Sequence, residues 1–160
     1  MKKMLRDIKG LTILELIVVI SVFGLIFSMS TYVFGGIFGR NALSHDGYQL
    51  VQDLREARTN AVSQKSDSSW GIYFDTSVFP HSYTLFKGDD YFSRDVIFDR
   101  RFVFPRTVSF YRASIPASHA IVFKQSDGFP VEPGYLILNS SEGGEYIISV
   151  NSFGLVEYDY

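Results

Sequence analysis

One carboxylate, Glu15, stands inside the apolar stretch LTILELIVVISVFGLIFSMSTYVFGG, residues 11–36, and it is the side chain whose position most demands a role. A charge at the middle of a membrane-length helix costs about 2.5–3.5 kcal/mol, so it is kept where it has a partner or a function. Other chemistry-bearing residues are dispersed. His45, His81 and His119 lie far apart, with no H-E-x-x-H, G-x-S-x-G, phosphate-loop or dinucleotide pattern around them. Cysteine is absent, which removes thiol catalysis and cysteine metal sites. Asp89, Asp90 and Asp95 offer oxygen ligands for calcium, yet without the spacing of a defined calcium loop. Asn139-Ser140-Ser141 matches a glycosylation sequon. The expectation is a non-enzymatic chain with no cofactor and no metal.

Five arginines between 94 and 112 form the main basic cluster: Arg94, Arg100, Arg101, Arg106 and Arg112. Phe98, Phe102, Phe104, Phe110 and Tyr111 alternate with them, as on a surface that stacks bases and tracks phosphates. The same alternation is how a half-buried strand reads. Arg100, Arg101 and Arg106 are therefore candidates for contact with the acidic turns of a neighbouring subunit or with a ligand, where such charges favour register over raw affinity.

The elements that must position these residues follow from periodicity. Leu11 to Phe34 as a helix rises about 1.5 Å per residue and covers roughly 36 Å, enough for a hydrocarbon core of about 30 Å. Lys2, Lys3, Arg6 and Lys9 outweigh Asp7 ahead of it, so the leader is expected to stay cytoplasmic and the rest to be exported, a single pass with the C-terminal domain outside. Ser21, Gly24, Ser28 and Ser30 are small residues that suit close helix packing. After the glycines at 35, 36 and 39, an amphipathic helix is expected over about 43–64. Its stripe is Leu43, Gly47, Leu50, Leu54, Ala57 and Ala61, with Asp53, Arg55 and Glu56 on other faces and Ser44 or Asp46 able to cap it.

From Ser68 the pattern changes to β-prone runs: 70–75, 82–87, 95–98, 102–104, 108–111, 120–124, 135–138, 146–150 and 155–158, divided by Gly-, Asp- and Pro-containing turns. The fold class is α+β, a long N-terminal helix packed on an antiparallel β-sheet domain. Hydrophobic residues make up 46% of the 160, too many for a disordered chain. Of 15 basic and 17 acidic residues, the first ten hold four and one, leaving 11 against 16 and a sum of −5. That balance disfavours generic nucleic-acid binding.

Lys9-Gly10 followed by Leu11-Thr12-Ile13-Leu14-Glu15-Leu16 resembles the signal of type IV pilins and pseudopilins, in which a basic leader ends in Gly and Glu stands fifth in the mature chain. The resemblance implies cleavage between Gly10 and Leu11 by a prepilin peptidase and N-methylation at Leu11, a position where the family more often has Phe. It implies a removed leader at 1–10, a transmembrane and assembly helix at 11–38 and an exported domain at 39–160. It also implies that Glu15 pairs with the terminal amine of a neighbouring subunit and sets register in the filament. Further on, Leu54-Arg55-Glu56-Ala57-Arg58-Thr59-Asn60-Ala61, Trp70-Gly71 and the Asn151 to Gly154 turn resemble the GspH/FimT branch of minor pilins and pseudopilins. The implied partners are the peptidase, other pilin-like subunits and an inner-membrane assembly platform, with a periplasmic or surface filament as the end state. A major pilin or a displayed DNA-uptake or adhesion module is the alternative. The tail after Gly154, Leu155-Val156-Glu157-Tyr158-Asp159-Tyr160, lacks the basic residues that DNA-binding members of that branch carry.

Overall fold

The computed structural model describes residues 12–114 and 118–159, with side chains at 29–41 and 112–114 left out of the description. Helix α1 runs Ile13–Val62, and the chain divides between Gly35 and Gly36 into two compact units, both of which include part of α1. The glycines at 35, 36 and 39 do not interrupt the helical backbone, so the expected second helix at 43–64 is the C-terminal part of α1. Neither Ser44 nor Asp46 therefore acts as an N-cap.

In the second unit the expected stripe is the buried one: Leu43, Leu50, Leu54, Ala57 and Ala61 are all inside, joined by Val51. Gly47 is required there, because a Cβ would stand 2.6 Å from the ring of Tyr146. The helix stops without a glycine. Lys65 N–H reaches the Asn60 carbonyl at 2.9 Å and Gln64 N–H the Ala61 carbonyl at 3.1 Å, with Gln64 in the left-handed region at φ 52°. Those two bonds satisfy terminal carbonyls in the manner of a Schellman motif.

Eight strands follow: β1 (Trp70–Asp75), β2 (Ser82–Lys87), β3 (Asp95–Val103), β4 (Val108–Ser114), β5 (Ala120–Phe123), β6 (Gly134–Ser140), β7 (Glu145–Val150) and β8 (Val156–Asp159). They form two four-stranded antiparallel sheets, ordered β3-β2-β1-β5 and β4-β6-β7-β8, where a single sheet was expected. The main core lies between inward positions of both sheets and the apolar stripe of α1. Wrapping a helix with two sheets widens the arc of the helix that is enclosed. This is why Asp53, expected on an outer face, is only 4% exposed.

The runs 95–98 and 102–104 were expected as separate strands. They merge into β3 because Asp99, Arg100 and Arg101 lie within an edge strand and find polar partners rather than forcing a turn. The first sheet is covered on its outer face too, by a smaller cluster in which Phe86, Ala120 and Val122 are packed with Tyr73 and Tyr91. Tyr91 stacks on Tyr73 at 3.7 Å between ring centroids, and the Arg94 guanidinium lies 3.7 Å over Tyr91.

Candidate functional site

The first unit has its functional character in one stretch of helix. Thr12 precedes α1, and its hydroxyl accepts the Glu15 N–H at 3.2 Å while its carbonyl accepts the Leu16 N–H at 3.1 Å. Thr12 is therefore an N-cap, and Glu15, three residues on, is the acid of the first turn, where the partial positive charge of the helix terminus favours it. The Thr-x-x-Glu spacing of a capping box was available in the sequence and went unread behind the membrane-length apolar run.

From Ile13 to Phe27 the large apolar side chains stand bare: Ile13 is 80% exposed, Phe27 71% and Val19, the least, 43%. Ser21 and Ser28 turn their hydroxyls back onto the carbonyls of Ile17 and Leu25, so these polar groups do not interrupt the apolar surface. A Cβ at Gly24 would meet nothing within 4 Å, so nothing in this chain requires glycine there. Among the described residues no helix is long and apolar enough to cross a membrane. The span expected at 11–34 is not met within them, and Leu11 and the side chains at 29–34 fall outside the description. Gly10 and Leu11, the expected cleavage and methylation residues, also lie outside it.

In the second unit, Arg100 reaches from β3 onto α1. It donates Nη2 to the Asp53 carboxylate and to Glu56 Oε2 at 2.7 Å, while Tyr83 donates its hydroxyl to the other Asp53 oxygen at 2.6 Å and Gln49 adds a bond to Asp53 at 3.2 Å. Asp53 thus accepts from a cation, a phenol and an amide, which is what allows a carboxylate to be buried. Glu56, then Asp53, holds the Arg100 guanidinium more firmly protonated than usual. Burial first, and Asp53 second, push the Tyr83 phenol far above its ordinary value.

The other arginines are placed differently. Arg101, on the opposite face of β3, bonds Ser82 Oγ at 3.1 Å, with Asp75 at 3.9 Å. Ser77 hydrogen bonds, more than Arg101, hold the Asp75 carboxyl below its usual value. Arg94 clasps both oxygens of Asp99 through Nε, at 3.0 and 2.9 Å. Arg106 is exposed. The three candidate contact residues are thus not one cluster: Arg100, half-exposed, ties β3 to Asp53 and Glu56 on α1, while Arg101 lies on the opposite face of β3 and Arg106 stands in the following turn. Of the five rings expected to alternate with them as a stacking face, four are packed on the core, Phe104 buried and Phe98, Phe102 and Phe110 against it, and Tyr111 alone of the five is exposed.

Arg58 links the two short motifs that the sequence left apart. Asn151 organises the β7–β8 turn, its side-chain oxygen accepting the N–H groups of Phe153 and Leu155 at 2.9 and 3.0 Å. Gly154, at φ 76°, lets the turn lie against Gly128, at φ 65°; a Cβ on Gly154 would strike the Gly128 carbonyl and stand 2.9 Å from Arg58 Nε. Arg58 donates Nη2 to the Phe153 carbonyl at 3.2 Å, and Arg55 donates to the Val156 carbonyl at 3.2 Å. Sequence reasoning passed over both arginines as part of a helix motif.

No family model and no curated protein matches the chain. Among solved structures it is similar to the minor pseudopilin EpsH of the type 2 secretion system of Vibrio cholerae, with 11% identity, a TM-score of 0.56, and an alignment covering 73% of this chain and 95% of that one. The fold is pseudopilin-like. At that identity the likeness establishes architecture alone.

The remaining chemical candidates have structural positions. His81 Nδ1 accepts the Phe110 N–H at 3.0 Å, joining the two sheets. His45 lies 3.2 Å from Asp46 with its own side chain 75% exposed, and His119 is exposed. Of the three aspartates, Asp90 caps its own turn by accepting the Phe92 N–H at 2.9 Å and Asp95 faces Lys87 at 3.6 Å. Among the described residues no group of three metal-type ligands is assembled.

Proposed function

We propose that this chain is a structural subunit of a type IV pilus or type II secretion pseudopilus, of the GspH/FimT-like minor kind, which assembles through its N-terminal helix. One observation carries the reading. Every large apolar side chain from residue 13 to 27 is exposed on a capped helix, in a chain whose other unit buries its apolar stripe. At about 25 cal/mol per Å² of apolar surface, leaving such a segment in water is strongly unfavourable, so it belongs in lipid or among other helices. The pseudopilin-like fold and the Gly10-Leu11 to Glu15 signature support the same reading.

The mechanism is assembly. Cleavage after Gly10 removes the basic leader that holds the helix at the cytoplasmic membrane face, with the domain outside, and frees an amine at Leu11. Glu15 then pairs with the amine of the next subunit, one contact that sets axial register in a water-excluded bundle. Prepilin peptidase, other pilin-like subunits and an assembly platform are the partners this requires.

Intact-mass analysis of the full chain from its native host tests it. The expected species begins at Leu11, carries one added methyl group, and appears in membranes or sheared filaments, while Gly10→Val leaves the chain uncut. A Met1 species in both fractions, or normal filaments from the Gly10→Val chain, overturns the proposal.

A further inference from the structure

Unlike Arg94, Arg100 and Arg101, Arg55 and Arg58 have no acidic partner among the described residues. Arg94, Arg100 and Arg101 each have a carboxylate within 4 Å, whereas among the described residues Arg55 and Arg58 have only carbonyls and, for Arg55, the Tyr158 ring at 5.8 Å. Arg58 Nε is buried with no hydrogen-bond acceptor. The two guanidiniums are three residues apart on α1, hence on one face, and both line a cleft of about 340 Å³ closed on its other side by Gly154, Leu155 and Val156.

Carbonyls satisfy N–H groups without neutralising charge, so two adjacent cations remain uncompensated beside apolar walls that strengthen the field of each. The backbone donors of the wall are already engaged: Gly154 N–H bonds the Asn151 carbonyl and Leu155 N–H the Asn151 side chain. The remaining guanidinium N–H groups are left to receive an acceptor. We infer that the cleft binds a carboxylate presented on an exposed acidic turn of a neighbouring pilin-like subunit, an inference that rests on the filament reading for its source of ligand.

The surroundings select that source. Two cations line the cleft, while residues 11–160 carry 11 basic against 16 acidic side chains, a balance that repels an extended polyanion such as nucleic acid. One or two carboxylates on a turn fit between the guanidiniums without that penalty, in the fork geometry arginine favours. The chain itself displays such a turn at Gly88-Asp89-Asp90, where Asp89 is exposed.

The test is an NMR titration of the full chain in detergent micelles, following the arginine Nε–Hε signals. The probe is acetyl-Gly-Asp-Asp-Tyr-amide, which copies residues 88–91. Saturable movement of the Arg55 and Arg58 signals is expected, with none for the Asn-Asn version of the peptide. Arg55→Gln, at an exposed position, is expected to keep the amide spectrum and weaken binding about tenfold. Absence of saturation, equal movement with the Asn-Asn peptide, unchanged affinity in Arg55→Gln, or a response to inorganic phosphate alone each overturns the carboxylate site. Because the titration uses a single chain, its failure leaves the filament proposal standing, and failed processing in the host leaves this site standing.

Discussion

Residues 13–28 and 42–62 belong to one helix and are both rich in apolar side chains, yet the first stretch is bare and the second is covered. The difference lies in patterning. Between 42 and 62, apolar residues recur at three and four, with charged residues between them, so the chain can wrap one side with two sheets and leave the other to water. Between 13 and 28 only Glu15 carries a charge, and no face is suited to water. Under the proposed assembly, a segment apolar all round takes its cover from lipid or from neighbouring helices.

The largest expected break in this comparison comes from its two acids. Asp53→Ala strands the buried Tyr83 hydroxyl and removes one of the two carboxylates that hold Arg100, and is expected to lower domain stability by about 2–3 kcal/mol. Glu15→Ala is expected to leave unfolding of the domain within about 0.5 kcal/mol of the parent while abolishing filament assembly. Urea unfolding of the full chain in detergent, followed by Trp70 fluorescence, measures both. Equal losses would show that Glu15 serves the folded chain and not assembly.

A smaller contrast concerns two glycines. Gly154→Ala places a Cβ against the Gly128 carbonyl at φ 76° and is expected to cost about 1–3 kcal/mol in the same assay. Gly24→Ala meets open space, and alanine is the better helix former by about 0.8–1.0 kcal/mol. The folded chain is expected to tolerate it, and filament yield to fall if the small residue serves close packing between subunits.

The smallest effect is expected at Asp46, 5% exposed with one oxygen lacking a partner. Burial raises its carboxyl above the ordinary 3.8, and contact with His45 opposes the shift without reversing it. A raised folded-state value means that the protonated form is the one the fold prefers. Its contribution is complete below about pH 3.8 and is lost as pH rises through the raised value. Asp46→Asn is expected to be more stable than the parent at pH 7 and level with it at pH 3, read from urea midpoints; a variant less stable at pH 7 would mean that the charge is used.

Much of the architecture was legible in the chain because it is written in short-range repeats. Leu43, Leu50, Leu54, Ala57 and Ala61 announce a buried helical face by spacing alone, and the β-prone runs at 70–75 and 82–87 match β1 and β2. The merged strand β3 was missed because Asp99-Arg100-Arg101 looks like a break until its partners on α1 and β2 are known. Arg58 was passed over for the same reason: its acceptor at Phe153 is 95 residues away.

By itself, then, the sequence determined the α+β class, the covered helical stripe and the bare apolar segment headed by Glu15, since period and composition act between near neighbours. Only the tertiary structure decided that strands form two sheets, that Asp53 is enclosed beneath Arg100 from 47 residues away, and that Arg55 and Arg58 share a cleft without an acid. Those outcomes depend on which distant surfaces meet, and charge partners far apart in the chain leave no local period to read.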